Sequence, residues 1–489
     1  MNIYPGKEEP HAGKYLISIN CFFNILIYAL FIWFVGVPLV KDGMFLDGVQ
    51  YAAVARNLAL GLGTWWEPHY SATLFNHFHQ QPPGFIWLQS LFFRMLNDSI
   101  YPERIYCFLE GIIMLLLIAH SWKTINPDPS IRQMTWLPQL IWLCIPTVSW
   151  GLRNNVVENT MVIFDWLSVL FLIRLFNKRN ETISFVLAVF FLFCASFIKG
   201  FQALFPLAVP AIYWLTLRKI SFKKMMVISM GLLASVAAIY FLLMRYPPAL
   251  TSYREYFAAR LTDFPHTPTE TTTSRTWLLT QMAGEFVVPV LLFLWAMIFM
   301  LIKNNYYDEH GMLRKRYAIF FLLAGISASF PLFISFEQRT FYLITSIPFF
   351  ATSTSLFFAP VMQYLLYRYS PRIKYYRMLQ TGAVIFLVSG IITGLASAGK
   401  LGRDQDLLSD VRTVVHQVGS NKIVSVSDDI WSQWILDGYF QRYGNISLAK
   451  DCDSCRIYLQ RKGDNTSDIL GYKRINCDTK YLNVYKISH

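Results

Sequence analysis

Asp47 is the acidic residue whose place in this sequence most favours chemistry. It lies in Phe45-Leu46-Asp47-Gly48, just after the first long apolar run ends. The stretch from Tyr51 to Gly61 has the spacing of a short amphipathic helix that would lie along a membrane surface. A carboxylate held there could serve as a general base where lipid meets water. Asp47 could also cap that helix, and the two roles are compatible.

The elements that would position such a residue are those of a membrane protein. Of 489 residues, 54% are apolar and only 15% are charged, compared with roughly 25% charged in soluble domains. Apolar runs of about 20 residues recur through about the first 400 positions, which predicts an α-helical polytopic membrane protein with about 11 transmembrane helices. The formal charge of +13 does not indicate a nucleic-acid partner, because the cations lie in the short connections between apolar runs.

The distribution of lysine and arginine predicts the orientation. Lys7 and Lys14 precede the first predicted span, Tyr15 to Val37, and place the N-terminus in the cytoplasm. Alternating sides from there puts the C-terminus outside. It also predicts two long extracytoplasmic loops, residues 41–103 and residues 246–285.

Each of these loops has a feature of its own. The first contains a second apolar helix, Gly84 to Met95, which should also rest at the interface. The polar centre of the second, His266 to Arg275, predicts a segment that is mobile or ordered by a ligand.

The composition changes abruptly at about residue 400, which separates a transmembrane region, residues 1–400, from a soluble domain, residues 401–489. Short helix and strand patterns predict a small extracytoplasmic α/β domain here, with helices at 411–418 and 430–443 and strands at 422–426, 457–459 and 482–485. A disulfide among Cys452, Cys455 and Cys477 is expected in an oxidising compartment.

Five motifs in the membrane region resemble those of the GT-C superfamily of lipid-dependent glycosyltransferases. The group they most resemble is that of the protein O-mannosyltransferases and aminoarabinose transferases. In chain order the motifs are Asp47-Gly48 with Tyr51, Ala52, Ala55, Arg56 and Gly61; Gln80-Gln81-Pro82-Pro83; Val157-Glu158-Asn159; Ile198-Lys199-Gly200; and Ser335-Phe336 with Gln338, Arg339, Tyr342 and Pro348.

The resemblance implies a GT-C fold and the transfer of a sugar from a polyprenyl-phosphate carrier to a lipid, glycan or protein acceptor outside the cytoplasm. Asp47 would be the general base, and Glu158 would orient the acceptor or the sugar. Negative charge grows on the leaving phosphate, so cations placed there would stabilise the transition state. The residues implied for the remaining roles are Lys199, Arg339 and Arg56 at the phosphate, and Tyr51, His79, Gln80, Gln81 and Tyr342 at the substrates.

Several of these residues also have an ordinary structural interpretation. Lys199 could be a lysine that reaches from a span end to water, and Glu158 could be an acid favoured at a helix start. Asp165, deeper in the same span as Glu158, is an intramembrane acid to which the family gives no role.

A divalent metal is possible but is not required by the sequence. His77 and His79, with Glu67, His69 or Glu158, could supply ligands, and some members of the family bind a metal near this place. However, Gln80 and Gln81 stand where those relatives carry an acidic and a basic residue. We therefore leave the metal unassigned.

The sequence leaves two other classes of function open. A lipid-linked sugar flippase or other transporter would show charged or broken helices at mid-membrane, and often internal repeats, of which we find none that is convincing. A non-enzymatic membrane scaffold would use Asp47 and Glu158 only as helix caps. A transferase instead needs Asp47, Lys199 and Arg339 to converge on one cavity. The bacterial inner membrane is the expected location.

Overall fold

Long apolar helices make up most of this chain, because a bilayer offers backbone polar groups no partner except within a helix. The structure is a computed structural model that describes residues 12–262, 277–302, 310–334, 338–368, 373–450, 452, 454–463 and 471–487. Within these ranges, eight helices are long and apolar enough to cross a membrane: Ile19–Leu39, Pro102–Ile125, Val157–Phe176, Glu181–Leu217, Phe222–Leu243, Gly311–Phe333, Ile347–Arg368 and Tyr375–Ser397. A ninth span would be Trp277–Glu285 with Val287–Phe299, two helices bent by 62°.

Contacts between the two ends of the membrane region fix the parity of the crossings. The backbone N–H of Asp42 donates to the carbonyl of Lys400 at 2.8 Å, and Asp42 pairs with Leu401 in an isolated bridge. Residues 42 and 401 therefore lie on one side of the membrane, which we call the loop face. The chain between them must cross an even number of times, so the total is odd. Nine described spans satisfy this condition and eight do not.

The predicted number of about 11 spans is also odd, and two places account for the difference from nine. Glu181–Leu217 has 37 residues, nearly twice the roughly 20 that one crossing needs. It is interrupted by a 3₁₀ segment at Gly200–Ala208. The second place is a pair of short helices, Trp136–Leu143 and Pro146–Arg153. Counting the first as two crossings and the second as one gives the predicted number. Unlike nine spans, this count places the start of Val157–Phe176 on the loop face, where Asn154 and Asn155 bind Phe45 and Gly48.

The membrane region contains eighteen described α-helices, which we number in chain order. They are α1 (Ala12–Phe31), α2 (Val37–Leu39), α3 (Leu46–Ala59), α4 (Gly84–Leu96), α5 (Pro102–Ile125), α6 (Pro129–Arg132), α7 (Trp136–Leu143), α8 (Pro146–Arg153), α9 (Val157–Phe176), α10 (Glu181–Lys199), α11 (Val209–Leu217), α12 (Phe222–Leu243), α13 (Pro247–Thr262), α14 (Trp277–Glu285), α15 (Val287–Ile302), α16 (Gly311–Ile334), α17 (Ile347–Arg368) and α18 (Ile373–Ser397). A π-helical segment, Ile32–Gly36, joins α1 to α2, and a 3₁₀ segment, Thr340–Thr345, precedes α17.

Both helices predicted in the first loop are present, as α3 and α4. Every residue of α3 from Gly48 to Leu58 except Gln50 is buried, because α4 and the C-terminal domain cover it. The predicted amphipathic stretch is therefore a helix held within the protein. In the second loop, the predicted polar centre from His266 to Arg275 lies outside the described residues, as does Ser335 of the last motif.

The C-terminal domain is the predicted small α/β domain. Its helices are α19 (Gln405–Val418), α20 (Asp428–Trp431) and α21 (Trp434–Gly444), and its strands are β1 (Ile423–Val426), β2 (Ser447–Ala449), β3 (Ile457–Arg461), β4 (Tyr472–Ile475) and β5 (Leu482–Ile487). The sheet order is β2-β1-β3-β5-β4. β1 pairs in parallel with β2 and β3, whereas β5 pairs antiparallel with β3 and β4. The expected disulfide joins Cys452 to Cys455, while Cys477 donates from its thiol to Gln417 at 2.8 Å.

A buried group of charges, which we call the interdomain ion cluster, joins this domain to the first loop. Its main members are Asp42, Glu103, Arg104 and Arg442, and each is at most 3% exposed. Arg104 binds Asp42 at 2.6 Å and Glu103 at 2.8 Å, and Arg442 binds Glu103 at 3.0 Å. Burial alone would raise the pKa of Asp42, but Arg104, the Tyr443 hydroxyl and Arg412 hold that pKa below its ordinary value of 3.8.

Candidate functional site

Asp47 lies in the first turn of α3, half-buried and on the loop face. The N-cap residue of α3 is Phe45, which makes no side-chain cap, and Asp47 lies two residues further along the chain. This position favours a carboxylate, because the helix dipole is positive at its N-terminus. Asp47 is therefore an acid of the first turn, and its role as general base stays a prediction.

Two asparagines fix the start of α3 against the segment that leads into α9. The side-chain oxygen of Asn154 accepts from the N–H of Phe45 at 2.8 Å, and the side-chain amide of Asn155 donates to the carbonyl of Gly48 at 2.9 Å. A Cβ on Gly48 would lie 2.0 Å from the Asn154 carbonyl oxygen, so this approach requires glycine. Asp47 thus lies between two residues, Phe45 and Gly48, that bind Asn154 and Asn155 just before the helix that carries Glu158.

Glu158 and Lys199 form a buried ion pair between the first turn of α9 and the last turn of α10. Each charge suits the dipole of its own helix end. Glu158 is fully buried, and Lys199 is 9% exposed. The ammonium of Lys199 also lies 4.2 Å from the ring centre of Tyr342, which is a cation–π contact. These three predicted residues come together in the structure.

A series of contacts between aromatic rings connects this pair to the start of α3. The Phe45 ring lies 5.9 Å from that of Phe341, and Trp150 stacks on Phe341 at 5.5 Å. Phe341 in turn contacts Tyr342, with ring centres 4.9 Å apart. The segment that carries Arg339, which is half-buried, therefore packs between the Asp47 helix and Lys199.

The remaining predicted substrate residues line the first loop. The side-chain amide of Gln81 donates to the Tyr51 hydroxyl at 3.5 Å, and His79 lies 3.4 Å from the Ser252 hydroxyl. Burial and the neighbouring His77 lower the pKa of His79, against opposing contributions from two glutamates. A neutral imidazole there can accept a hydrogen bond. Gln80 is half-buried beside these residues.

Arg56 is located elsewhere than predicted. Its guanidinium binds Asp98 at 2.7 Å and donates to the Gln441 carbonyl at 3.3 Å, in the contact with the C-terminal domain. Asp98 also binds Arg442 of the interdomain ion cluster, at 3.0 Å. These contacts assign Arg56 to the interdomain contact, and we leave it out of the proposed phosphate site.

Asn154 and Asn155 position the start of α3 but are not among the residues predicted from the sequence. The available signal was two adjacent asparagines just before a span, since asparagine tolerates the left-handed backbone that Asn155 adopts with φ of 52°. Asp165, deeper in α9, is fully buried, and in the described structure neither of its carboxylate oxygens has a hydrogen-bond partner.

The geometry of the described residues does not support a metal site. Among those residues, no three histidine, cysteine, aspartate or glutamate side chains are grouped so that they could hold an ion. The rings of His77 and His79 are stacked, with centres 6.3 Å apart.

Comparison with known proteins supports the fold assignment. Residues 80–244 match the family model of dolichyl-phosphate-mannose-protein mannosyltransferases. ArnT of Cupriavidus metallidurans is similar in structure, both bound to undecaprenyl phosphate (TM-score 0.62) and in the apo state (TM-score 0.63). Each match has 12% identity and covers 94% of this chain and 97% of ArnT.

More distant is the oligosaccharyltransferase of Archaeoglobus fulgidus in complex with zinc and sulfate, with 10% identity, coverage of 89% of this chain and 68% of that one, and a TM-score of 0.49. No curated protein matches the chain in sequence. The predicted GT-C fold is confirmed, with its membrane helices and its small C-terminal domain.

Proposed function

We propose that this chain is a GT-C membrane glycosyltransferase that transfers a sugar from a polyprenyl-phosphate carrier to an acceptor outside the cytoplasm. The match of residues 80–244 to a mannosyltransferase family model and the fold shared with ArnT support this proposal. The acceptor is a lipid, a glycan or a protein. The loop face is then the extracytoplasmic face, with the N-terminus in the cytoplasm and the C-terminal domain in the periplasm of a bacterial inner membrane, as the positive-inside pattern favours.

The observation that carries the proposal is the buried Lys199–Glu158 pair on the loop face. A buried ammonium there has a single ion-pair partner among the described contacts and lies against an aromatic ring. Such an ammonium suits a lipid phosphate that enters from the membrane. The similarity to a protein that binds undecaprenyl phosphate supports the same chemistry.

We assign Lys199 and Arg339 to the phosphate of the donor. An ammonium has three N–H donors, so Lys199 can donate to an incoming phosphate oxygen while it keeps Glu158 as a partner. Glu158 then stays the counter-ion of Lys199 and positions the ammonium. As the sugar–phosphate bond breaks, both cations stabilise the growing negative charge.

Asp47 is the proposed general base. It would accept the proton of the acceptor hydroxyl or amine while that group attacks the anomeric carbon of the sugar. A single displacement of this kind inverts the anomeric configuration. Asp47 is half-buried in the first turn of a helix, where the helix dipole favours a negative charge.

The test is mass spectrometry of extracted glycolipids and envelope glycans from cells with and without the protein. We expect a product heavier by one sugar residue that requires the protein, and we expect Asp47→Asn to lower the rate of its formation by roughly two to four orders of magnitude. Asp429→Asn, which changes an exposed aspartate of the C-terminal domain, should leave the rate unchanged.

Two results would contradict the proposal. One is purified Asp47→Asn protein with a transfer rate within a few-fold of wild type, which would remove Asp47 from the role of base. The other is a protein that moves labelled glycolipid across liposomes without ever cleaving its sugar–phosphate bond, which would make it a transporter.

A further inference from the structure

An aromatic cleft of about 690 Å³ opens between the first loop and the start of α13. Its principal lining residues are Trp65, Trp66, Glu67, Trp87, Tyr246 and Thr251. The volume lies within the roughly 300–1,000 Å³ of small-molecule sites. The mechanism proposed above uses none of these residues.

The aromatic rings that line the cleft are held in place by contacts with one another. Trp65 and Trp66 each meet Trp87 edge-on, with ring centres 5.1 Å apart, and Trp66 contacts Tyr246 at 6.2 Å. Yet 41% of Trp65 and 53% of Tyr246 remain exposed. The cleft therefore presents broad aromatic surface whose orientation is already fixed, which limits the entropy lost on binding.

The turn that carries Trp65 and Trp66 is also rigid. The N–H of Thr64 donates to the Glu67 carbonyl at 3.0 Å, and the N–H of Glu67 donates to the Thr64 hydroxyl at 3.0 Å. Gly63 has φ of +80°, and a Cβ there would lie 2.5 Å from the N atom of His69. The Glu67 side chain is half-buried at this turn and reaches the cleft.

The cleft lies at the same end of α10 as the proposed donor site. Phe197 packs against Trp87 at 4.9 Å and against Trp66 at 5.9 Å, and it lies two residues before Lys199 on α10. The cleft therefore packs on the helix that carries the cation proposed to hold the phosphate.

We propose that this cleft binds a pyranose ring. A pyranose has a face of C–H groups, which suits the electron-rich face of an indole or phenol ring. Its edge carries hydroxyls, which can donate to Glu67 and exchange hydrogen bonds with the two threonines, Thr64 and Thr251. The carboxylate of Glu67 disfavours both other occupants that the location offers, a phosphate group by charge and an acyl chain by the cost of desolvation.

The inference deepens the proposed function and rests on it for one step, that the sugar belongs to a substrate. The same ring chemistry could come from the sugar of the donor or from an acceptor glycan. Experiments can test binding and source separately.

Binding is tested with the full-length protein in lipid nanodiscs by saturation-transfer NMR. The probes are soluble methyl glycosides that cover the gluco, galacto, manno, amino-sugar and pentose configurations. We expect at least one to bind, with affinity about tenfold weaker in Trp65→Ala and in Glu67→Gln. Trp434→Ala is the matched control, because Trp434 is 47% exposed on the C-terminal domain, and its binding should equal wild type.

Kinetics test whether the bound sugar belongs to the donor or to the acceptor. If Trp65→Ala raises the KM for the acceptor alone, the cleft holds an acceptor sugar, and if it raises the KM for the lipid-linked donor alone, the cleft holds the donor sugar. Asp47→Asn should still bind the glycoside while transfer is lost. Glycoside binding by a protein that transfers nothing would reject the proposed function and keep the cleft.

Three outcomes would overturn the inference. The first is that no glycoside of the panel binds the wild-type protein. The second is that Trp65→Ala binds as wild type does. In the third, brominated acyl chains quench the fluorescence difference between wild type and Trp65→Phe, which would make the cleft part of the aromatic belt in the bilayer.

Discussion

The interdomain ion cluster and the Lys199–Glu158 pair are both buried charges on the loop face, yet they are built differently. In the cluster, Arg104 binds two carboxylates and the Lys41 carbonyl, and Arg442 binds Glu103 and Asp98. The planar forks of arginine suit such fixed, multiple contacts. The pair has one ammonium and one carboxylate, with an aromatic ring beside it.

This difference indicates that the interdomain ion cluster has a structural role, whereas the Lys199–Glu158 pair has the proposed catalytic role. In the interdomain ion cluster, the guanidinium groups of arginines join residues that are far apart in the chain. Each buried charge has more than one partner of opposite charge, which a permanent interface needs. A compact ammonium has three N–H donors, so it can bind a phosphate oxygen as a further partner while it keeps its carboxylate. We therefore expect the cluster to control stability and the pair to control donor use.

The largest expected effect is on stability, from Glu103→Gln. This change removes a carboxylate that is 1% exposed and leaves the guanidinium groups of Arg104 and Arg442 with less compensation. We expect the free energy of unfolding to fall by about 3–5 kcal/mol. Thermal unfolding in detergent measures it.

The control for that measurement is Asp406→Asn, which removes an exposed pair with Lys480. Exposed pairs contribute about 0–1 kcal/mol, so its unfolding temperature should stay near that of wild type. An unchanged unfolding temperature for Glu103→Gln would mean that the cluster does not stabilise the docked domain.

The next effect is on turnover, from Lys199→Ala. Losing one preorganised cation at a developing negative charge should lower kcat, or raise the donor KM, so that donor kcat/KM falls about 10²–10³-fold. Lys199→Arg should not restore it, because a planar fork places its donors differently from an ammonium. Lys224→Ala is the control, since Lys224 also pairs with a glutamate between helices, at 2.9 Å from Glu181.

Two further variants sharpen the same prediction. Arg339→Ala should act similarly, and the double variant with Lys199→Ala should be non-additive if both cations contact one phosphate. Glu158→Gln should bind polyprenyl phosphate more tightly than wild type, because Lys199 no longer has a competing carboxylate. Additive effects, or a defect confined to the acceptor KM, would contradict a shared phosphate site.

The smallest expected effect is a pH dependence of domain docking through Asp437. This carboxylate accepts from the Tyr70 hydroxyl at 2.6 Å across the interface. Burial raises the pKa of Asp437 from 3.8 to about 6, although the hydrogen bonds from Tyr70 and from the Leu448 backbone oppose this. The docked state thus holds a proton more tightly than the unfolded state, so stability should fall as pH rises from about 4 to about 6.

Unfolding temperatures at pH 5 and pH 7 measure this dependence, with Asp437→Asn as the comparison. Asparagine keeps an acceptor for Tyr70 but does not titrate, so the variant should lose this part of the pH dependence. The lowered pKa of Asp42 places its titration below 3.8 and outside the window. Equal pH profiles for the variant and wild type would show that Asp437 does not titrate on docking.

Local patterns in the sequence predicted the helices of the first loop and most of the C-terminal elements. α4 was predicted as Gly84–Met95 and runs from Gly84 to Leu96. The strands β2 (Ser-Leu-Ala) and β4 (Tyr-Lys-Arg-Ile) were missed, because β2 has no β-branched residue and β4 has one, whereas three mark β1 (Ile-Val-Ser-Val). The docking of α21 on α3 was also missed, since nothing local in either helix marks a partner that lies nearly 400 residues away.

The sequence by itself determined that this chain is a polytopic membrane protein. It also predicted that the motifs resemble those of the GT-C superfamily and that Lys199 lies on the side opposite the lysines and arginines of the short connections. Only the tertiary structure decided which carboxylate each cation meets. It pairs Lys199 with Glu158 and gives Arg56 to Asp98. The physical reason is that composition and periodicity report whether a residue prefers water or lipid, whereas a buried charge is compensated by whichever distant group the packed helices bring within a few ångströms.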